Sequence, residues 1–183
     1  MPMIINFVTT NKGKVREFKQ ILEPDHKVKQ LVIDYPELRS DDPEEIACLA
    51  AKQLADKLKK IIVVEDSGLF IPSLNDFPGT CSAYIHKRIG LEGILKLMKG
   101  IKNRTCYYKS AVGYCEPGKK PVSFLGAEKG KVADKIKGTH GFGHDPIFIP
   151  EGSTKTYGEM GNVKEVKKFR RRAVLKLVEY LGK

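Results

Sequence analysis

Residues 61–64 read Ile-Ile-Val-Val and run directly into Glu65-Asp66-Ser67-Gly68. Four consecutive β-branched residues predict a short strand buried on both faces, the pattern of a parallel sheet covered by helices. The run ends in two carboxylates and a Ser-Gly turn. In open α/β sheets, ligands gather just beyond the carboxyl ends of strands. Asp66, with Glu65 beside it, is therefore placed to reach a divalent cation next to an anionic substrate. The competing reading of these residues is an ordinary acidic turn.

The chain before this strand supplies the unit that precedes it in a parallel sheet. Residues 3–8 read as a first strand, mostly apolar with Asn6 the exception, and lead into Thr9-Thr10-Asn11-Lys12-Gly13-Lys14. A helix follows with Val15, Phe18 and Ile21/Leu22 on one face and Asn11 as its N-cap. Strand, Gly-containing turn and helix start make an anion site, because unpaired N–H groups and the helix dipole point at the turn. Lys12 and Lys14 add mobile positive charge. The turn is not a Walker A loop, since the spaced first glycine and the Ser/Thr after the lysine are missing. A solvated helix start is the alternative.

Residues 28–33 predict a second strand, and Glu37 then sits in a loop ahead of a well-punctuated helix. Asp42 is its N-cap, Pro43 its first position, and Glu45 completes a capping-box-like pattern. Ile46, Leu49/Ala50, Leu54 and Leu58 form the buried stripe. Lys52 lies off that stripe, either solvated or turned toward a ligand. Strand, helix and strand of this kind build parallel sheets.

Beyond Gly68, Phe77-Pro78-Gly79 is a turn by composition. Residues 92–99 predict a short helix stopped by Gly100. Residues 105–115 and 121–126, joined by Pro117-Gly118, predict a hairpin that residues 129–134 continue. This middle region suits an antiparallel second lobe. Residues 138–146, Gly-Thr-His-Gly-Phe-Gly-His-Asp-Pro, form a glycine-rich loop whose backbone can approach a ligand closely. Phe142, flanked by glycines, is suited to stack on a flat ring. A structural turn is the alternative. Residues 147–149 form a strand, and a last helix runs from 163 to 181. Arg170 falls on that helix's core stripe, where an unpaired charge is costly. Either the guanidinium faces a cleft or an acid pairs with it.

Composition narrows the chemistry. Lys and Arg number 33 against 22 Asp and Glu, a net charge of +11, so the favoured partners are anions. The 183 residues suit a single domain, residues 1–183, with a substantial core. No stretch approaches membrane-spanning length, and the N-terminus does not resemble a signal peptide, which predicts a cytoplasmic protein. Cys48, Cys81, Cys106 and Cys115 show no C-x-x-C spacing and are expected as free thiols. Glu37, Glu65 and Asp66 would repel a polyphosphate unless a hard cation lay between them. Mg2+ prefers oxygen ligands and bridges carboxylates to substrate phosphates. Phosphoryl or nucleotidyl chemistry follows, with Asp66 holding the metal, activating water, or both.

These residues together resemble the inosine triphosphate pyrophosphatase family, the dITP/XTP diphosphatases. The resemblance spans nearly the whole chain. It is carried by residues 9–14, Glu37, Val64-Glu65-Asp66-Ser67-Gly68, Gly141-Phe142-Gly143-His144-Asp145-Pro146, Lys164, and Phe169-Arg170-Arg171-Arg172-Ala173. It implies an elongated α/β fold with a mixed central sheet flanked by helices and two lobes around an active-site cleft. It also implies hydrolysis of ITP, dITP or XTP to monophosphate and pyrophosphate, cleansing the nucleotide pool, by a homodimer with no stable nucleic-acid partner. Residues 9–14, Lys52, Ser67 and Lys164 would handle phosphates, and Glu37, Asp66 and Glu65 the Mg2+, with Asp66 as base. Phe142, Gly143, His144, Asp145 and Arg170 would hold the purine. A guanidinium offers only donors, which suits a 6-keto oxygen and disfavours adenine's amino group. Two departures stand out: Lys168-Phe169-Arg170 replaces the family's Ser-His-Arg, and Tyr84 follows Ser82-Ala83 where relatives carry Arg. The alternative class is a basic, non-enzymatic nucleic-acid-binding protein, with steep salt dependence and no need for magnesium.

Overall fold

The computed structural model describes residues 2–23, 25–161 and 167–182. Strand β1 (Ile4–Val8) leads into helix α1 (Lys12–Leu22) and strand β2 (Lys27–Leu31); α2 (Pro43–Leu58) then precedes β3 (Ile62–Ile71). The short β4 (Phe77–Pro78), α3 (Ser82–Leu97), β5 (Thr105–Cys115), β6 (Val122–Val132), β7 (Phe148–Pro150) and α4 (Lys168–Leu181) follow. Hydrogen bonding orders the sheet β2-β1-β3-β5-β6-β7, with β4 pairing β3. β1 runs parallel to β2 and β3, whereas β3–β4 and β6–β7 are antiparallel. This is the mixed α/β sheet the sequence predicts. Among the described residues no helix is long and apolar enough to cross a membrane.

Two compact units divide the chain. The first comprises Met1–Asp66, Ser110–Gly126 and Val166–Lys183; the second comprises Ser67–Lys109 and Ala127–Glu165.

In the first unit, strand period decides which helix each residue meets. Ile5, Phe7 and Val63 pack with Phe18 and Leu22 of α1 and with Ala173, Val174 and Leu177 of α4. Val8, Ile62 and Val64 pack on the other face, against Ala50, Ala51, Leu54 and Ala55 of α2. Asn6, polar within an apolar strand, donates from Nδ2 to the Ile61 carbonyl at 2.9 Å. Burial of Val15, Phe18 and Leu22 contributes about 1.5–3 kcal/mol per side chain. That outweighs the cost of Lys12 and Lys14 at the positive end of α1, about 0.3–1 kcal/mol each. Gly126 lets the first turn of α4 approach β6, since a Cβ there would lie 2.0 Å from the Phe169 carbonyl oxygen.

The first correction concerns residues 67–68. β3 does not turn there; it continues through Gly68 to Ile71. Another backbone lies against it, because a Cβ on Gly68 would meet the Gly79 carbonyl oxygen at 2.0 Å. Ser82 Oγ accepts from the Leu69 N–H at 2.8 Å. The second concerns α3, which starts at Ser82 rather than near residue 92 and breaks at Gly90, φ 65°. Its first half exposes Ala83, Tyr84, Lys87, Arg88 and Ile89 and shows no apolar stripe to read. In the last helix, α4 begins at Lys168; residues 163–166 of the predicted span lie outside the described residues.

Candidate active site

Because side chains alternate along a strand, Glu65 and Asp66 leave β3 on opposite faces. Glu65 follows Val63 toward α1 and α4, and Asp66 follows Val64 toward α2. Their surroundings differ accordingly.

Glu65 is sealed. Its Oε1 accepts from Ser110 Oγ of β5 at 2.6 Å and from Arg170 Nε at 2.8 Å, and its Oε2 lies 2.9 Å from Lys14 Nζ. Arg170, 1% exposed, donates through Nη1 to Glu17 Oε2, and Lys167 Nζ approaches Glu17 Oε1 at 3.3 Å. Burial alone would raise the Glu65 pKa, but Arg170 and Lys14 outweigh it and hold the carboxyl at about 2. Burial opposes charge on Arg170 too, and the two glutamates more than reverse that, raising its pKa. Glu65 is thus a structural anion, not one of a trio around a cation. Of the two alternatives for Arg170, the acid pair is the one observed. The guanidinium expected at the purine points into the interior, toward Glu17 and Glu65.

Glu17 was missed from sequence. It sits off the Val15–Phe18–Leu22 stripe and is buried by the flanking α4, so helical periodicity gives no sign of it. The signal was Arg170 itself, a charge on a core stripe that required a partner.

Asp66 is different. Its Oδ2 is buried and has no hydrogen-bond partner. Burial pushes its pKa up to about 7; Lys14 opposes the shift, and Glu65 and Glu37 add to it. Glu37 lies in the exposed loop before α2 and accepts from Tyr35 Oη at 3.3 Å. Tyr35, a second residue missed from sequence, packs on the α2-side core. Burial, then Glu37, then Asp66 raise its pKa. Asp66, Glu37 and Tyr35 therefore form one electrostatic neighbourhood.

The turn after β1 is built as predicted. Asn11 Oδ1 caps α1, accepting from the N–H groups of Gly13 at 2.8 Å and Lys14 at 3.2 Å. Thr9 Oγ1 accepts from the Asn11 N–H at 3.1 Å, and Gln30 Nε2 donates to the Thr9 carbonyl at 2.9 Å. Thr10 and Lys12 remain exposed. Lys14 is not the mobile charge expected, because Nζ also donates to the Glu65 carbonyl at 3.1 Å. Lys52 pairs with Asp56, four residues on, rather than with Asp66. Lys164 lies outside the described residues.

In the second unit, Ser67 is half-buried in β3. The loop 141–145 is braced by Asp145, 1% exposed, which accepts from the Phe142 N–H at 2.8 Å and from Tyr108 Oη at 3.1 Å. Gly141 adopts φ 78°, and a Cβ there would lie 2.1 Å from Asp145 Oδ2. Phe142 and Gly143 are half-buried and His144 is buried.

A divalent cation fits the first-unit residues. Asp66 offers a buried oxygen with no partner, Glu37 a second carboxylate beside it, and both are hard donors. Among the described residues no three His, Cys, Asp or Glu side chains converge on one point. A set of one or two carboxylates suits Mg2+, which keeps waters and takes substrate phosphates as further ligands.

The Ham1 family model matches residues 5–180. The chain belongs to the Ham1 family. A relative from Methanopyrus kandleri, named dITP/XTP pyrophosphatase, is 51% identical over 87% of this chain and 85% of its own length. One from Methanosarcina acetivorans, of the same name, is 45% identical over 96% of both chains. The structure of the Staphylococcus aureus Ham1 protein superposes with a TM-score of 0.82 at 28% identity, covering 97% of each chain.

Proposed function

We propose that this chain hydrolyses non-standard purine nucleoside triphosphates (ITP, dITP and XTP) to the monophosphate and pyrophosphate, with Mg2+ as cofactor. The names of its relatives support the reaction class. The observation that carries the chemistry is the buried, unpartnered Oδ2 of Asp66, on a carboxyl pushed up to about 7. A carboxylate oxygen with no hydrogen-bond partner can take a proton from a water placed beside it.

In this reading Asp66 accepts a proton from the water whose oxygen attacks the α-phosphorus. The bond from that phosphorus to the bridging oxygen breaks, and pyrophosphate leaves. Mg2+, held by Asp66 and Glu37, would neutralise phosphate charge. Thr9, Thr10, Asn11, Lys12 and Gly13 bind and orient the phosphates, with Lys52, Ser67 and Lys164 as further contacts. Lys14 holds Glu65 and biases Asp66 toward its charged form. We assign Phe142, Gly143, His144 and Asp145 to the purine, and the working assembly to a homodimer in the cytoplasm. Family membership disfavours a purely nucleic-acid-binding role.

The test is a panel of nucleoside triphosphates with Mg2+, products separated by chromatography. ITP and XTP should give equal amounts of monophosphate and pyrophosphate, well ahead of ATP and GTP, and EDTA should stop the reaction. Release of orthophosphate, or turnover that survives EDTA, would overturn the reading.

A further inference from the structure

Of the two carboxylates assigned to Mg2+, Glu37 is the loosely anchored one. Asp66 is carried by strand β3, whereas Glu37 sits between β2 and α2, where residues 32–40 form no helix or strand. Pro36, Glu37, Leu38 and Arg39 are all exposed. The two carboxylates also repel each other, since Glu37 adds to the upward shift at Asp66. Holding a glutamate side chain still costs up to about 1.5–2 kcal/mol of rotamer freedom. Left to itself, Glu37 would swing out into water.

One group opposes that. Leu31, Ile33 and Tyr35 pack against the α2-side core, while Val32, Asp34 and Pro36 are exposed. The alternation is that of an extended chain, and it makes Tyr35 the last inward anchor before Glu37. Its ring packs on the cluster that contains Val64, two residues before Asp66. Its Oη donates to Glu37 Oε1 at 3.3 Å. Glu37 Oε2 has no hydrogen bond or ion pair among the described residues. One carboxylate oxygen is thus tethered, and the other is left for a ligand.

We propose that Tyr35 is a positioning residue for the cation: its hydroxyl holds Glu37 beside Asp66 and leaves Oε2 to face the ion. The inference rests on the Mg2+ reading above and adds to it a residue that touches neither ion nor substrate. Tyr35 acts through Glu37 alone. Hydrogen-bond partners of metal-ligating groups are worth about 10–100-fold in affinity. The Tyr35–Glu37 bond is exposed, and at 3.3 Å it is longer than the about 2.5–3.0 Å usual between oxygens. The low end of that range is therefore expected.

Mn2+ favours the same oxygen ligands as Mg2+. Its binding to the metal-stripped full chain, followed by electron paramagnetic resonance of the free ion, tests the proposal without turnover. Tyr35→Phe should weaken binding about tenfold. Its thermal midpoint in EDTA should stay that of wild type, because the ring still packs. On a Glu37→Ala background, where Asp66 keeps a residual affinity, the same substitution should add nothing, since the hydroxyl has lost its acceptor. In turnover, Tyr35→Phe should raise the Mg2+ concentration needed for half activity by the same factor and leave kcat at saturating Mg2+ in place. Wild-type affinity in Tyr35→Phe, with Glu37→Ala impaired, would overturn the role of Tyr35 and leave the cation site standing. A further loss when Tyr35→Phe is added to Glu37→Ala would overturn it as well, by showing that the hydroxyl acts elsewhere. Wild-type protein that binds no Mn2+, or variants Asp66→Asn and Glu37→Ala that bind it equally well, would overturn the Mg2+ reading itself.

Discussion

Replacing Arg170 with methionine tests the buried ion network most directly. The side chain keeps much of its volume but loses the charge that joins Glu65, on β3, to Glu17, on α1. Breaking a buried ion pair by removing one partner costs about 3–5 kcal/mol, because the remaining charge is stranded. Here neither glutamate is stranded completely. Glu65 keeps Ser110 and Lys14, and Glu17 keeps Lys167. The lower end, about 3 kcal/mol, is therefore expected. For a chain of this size, 1 kcal/mol moves Tm by about 2–4 °C, which gives a fall of about 6–12 °C. Thermal and urea unfolding followed by circular dichroism would measure it. Glu17→Gln in the same background should show coupling of at least about 1 kcal/mol in a double-mutant cycle. The ratio of ITP to ATP hydrolysis should move little, since the guanidinium is turned to the acids. A variant as stable as wild type but without base discrimination would show that Arg170 serves the purine instead, and would refute this account.

Asp66→Asn should lower turnover by about 10²–10⁴-fold, the usual worth of general acid–base catalysis, and leave Tm unchanged or higher. Wild-type rates would remove Asp66 from the chemistry. Glu65, held at about 2 in the fold, ties stability to acid. Its contribution is whole above the ordinary carboxyl value of 4.5 and is lost as pH falls through about 2. Urea midpoints in EDTA between pH 5 and 2 should therefore fall more steeply for wild type than for Glu65→Gln, and parallel curves would contradict the assignment.

The sequence was most legible where one physical demand dominated. The Ile61–Val64 run could satisfy only a doubly covered strand, and Asn11 and Asp42 announced helix starts that the structure caps as expected. Legibility failed where partners came from distant segments. Nothing local distinguishes Glu65 from Asp66; the difference lies in Arg170, 105 positions away, and in Ser110. Gly68 resembled a turn because a close approach from Gly79 leaves no local trace. The first half of α3 was silent because its outward residues carry no period. Lys14 read as a free charge, and only the tertiary fold ties it down.

One strand thus acts as a partition, with one acid fastened to the scaffold and its neighbour left available for reaction. Consecutive codons should then fail in different ways: variants at 65 would vanish from an abundance screen, while those at 66 would accumulate as inert protein. Inserting one residue just ahead of Glu65 would exchange the two sides and spoil both properties together.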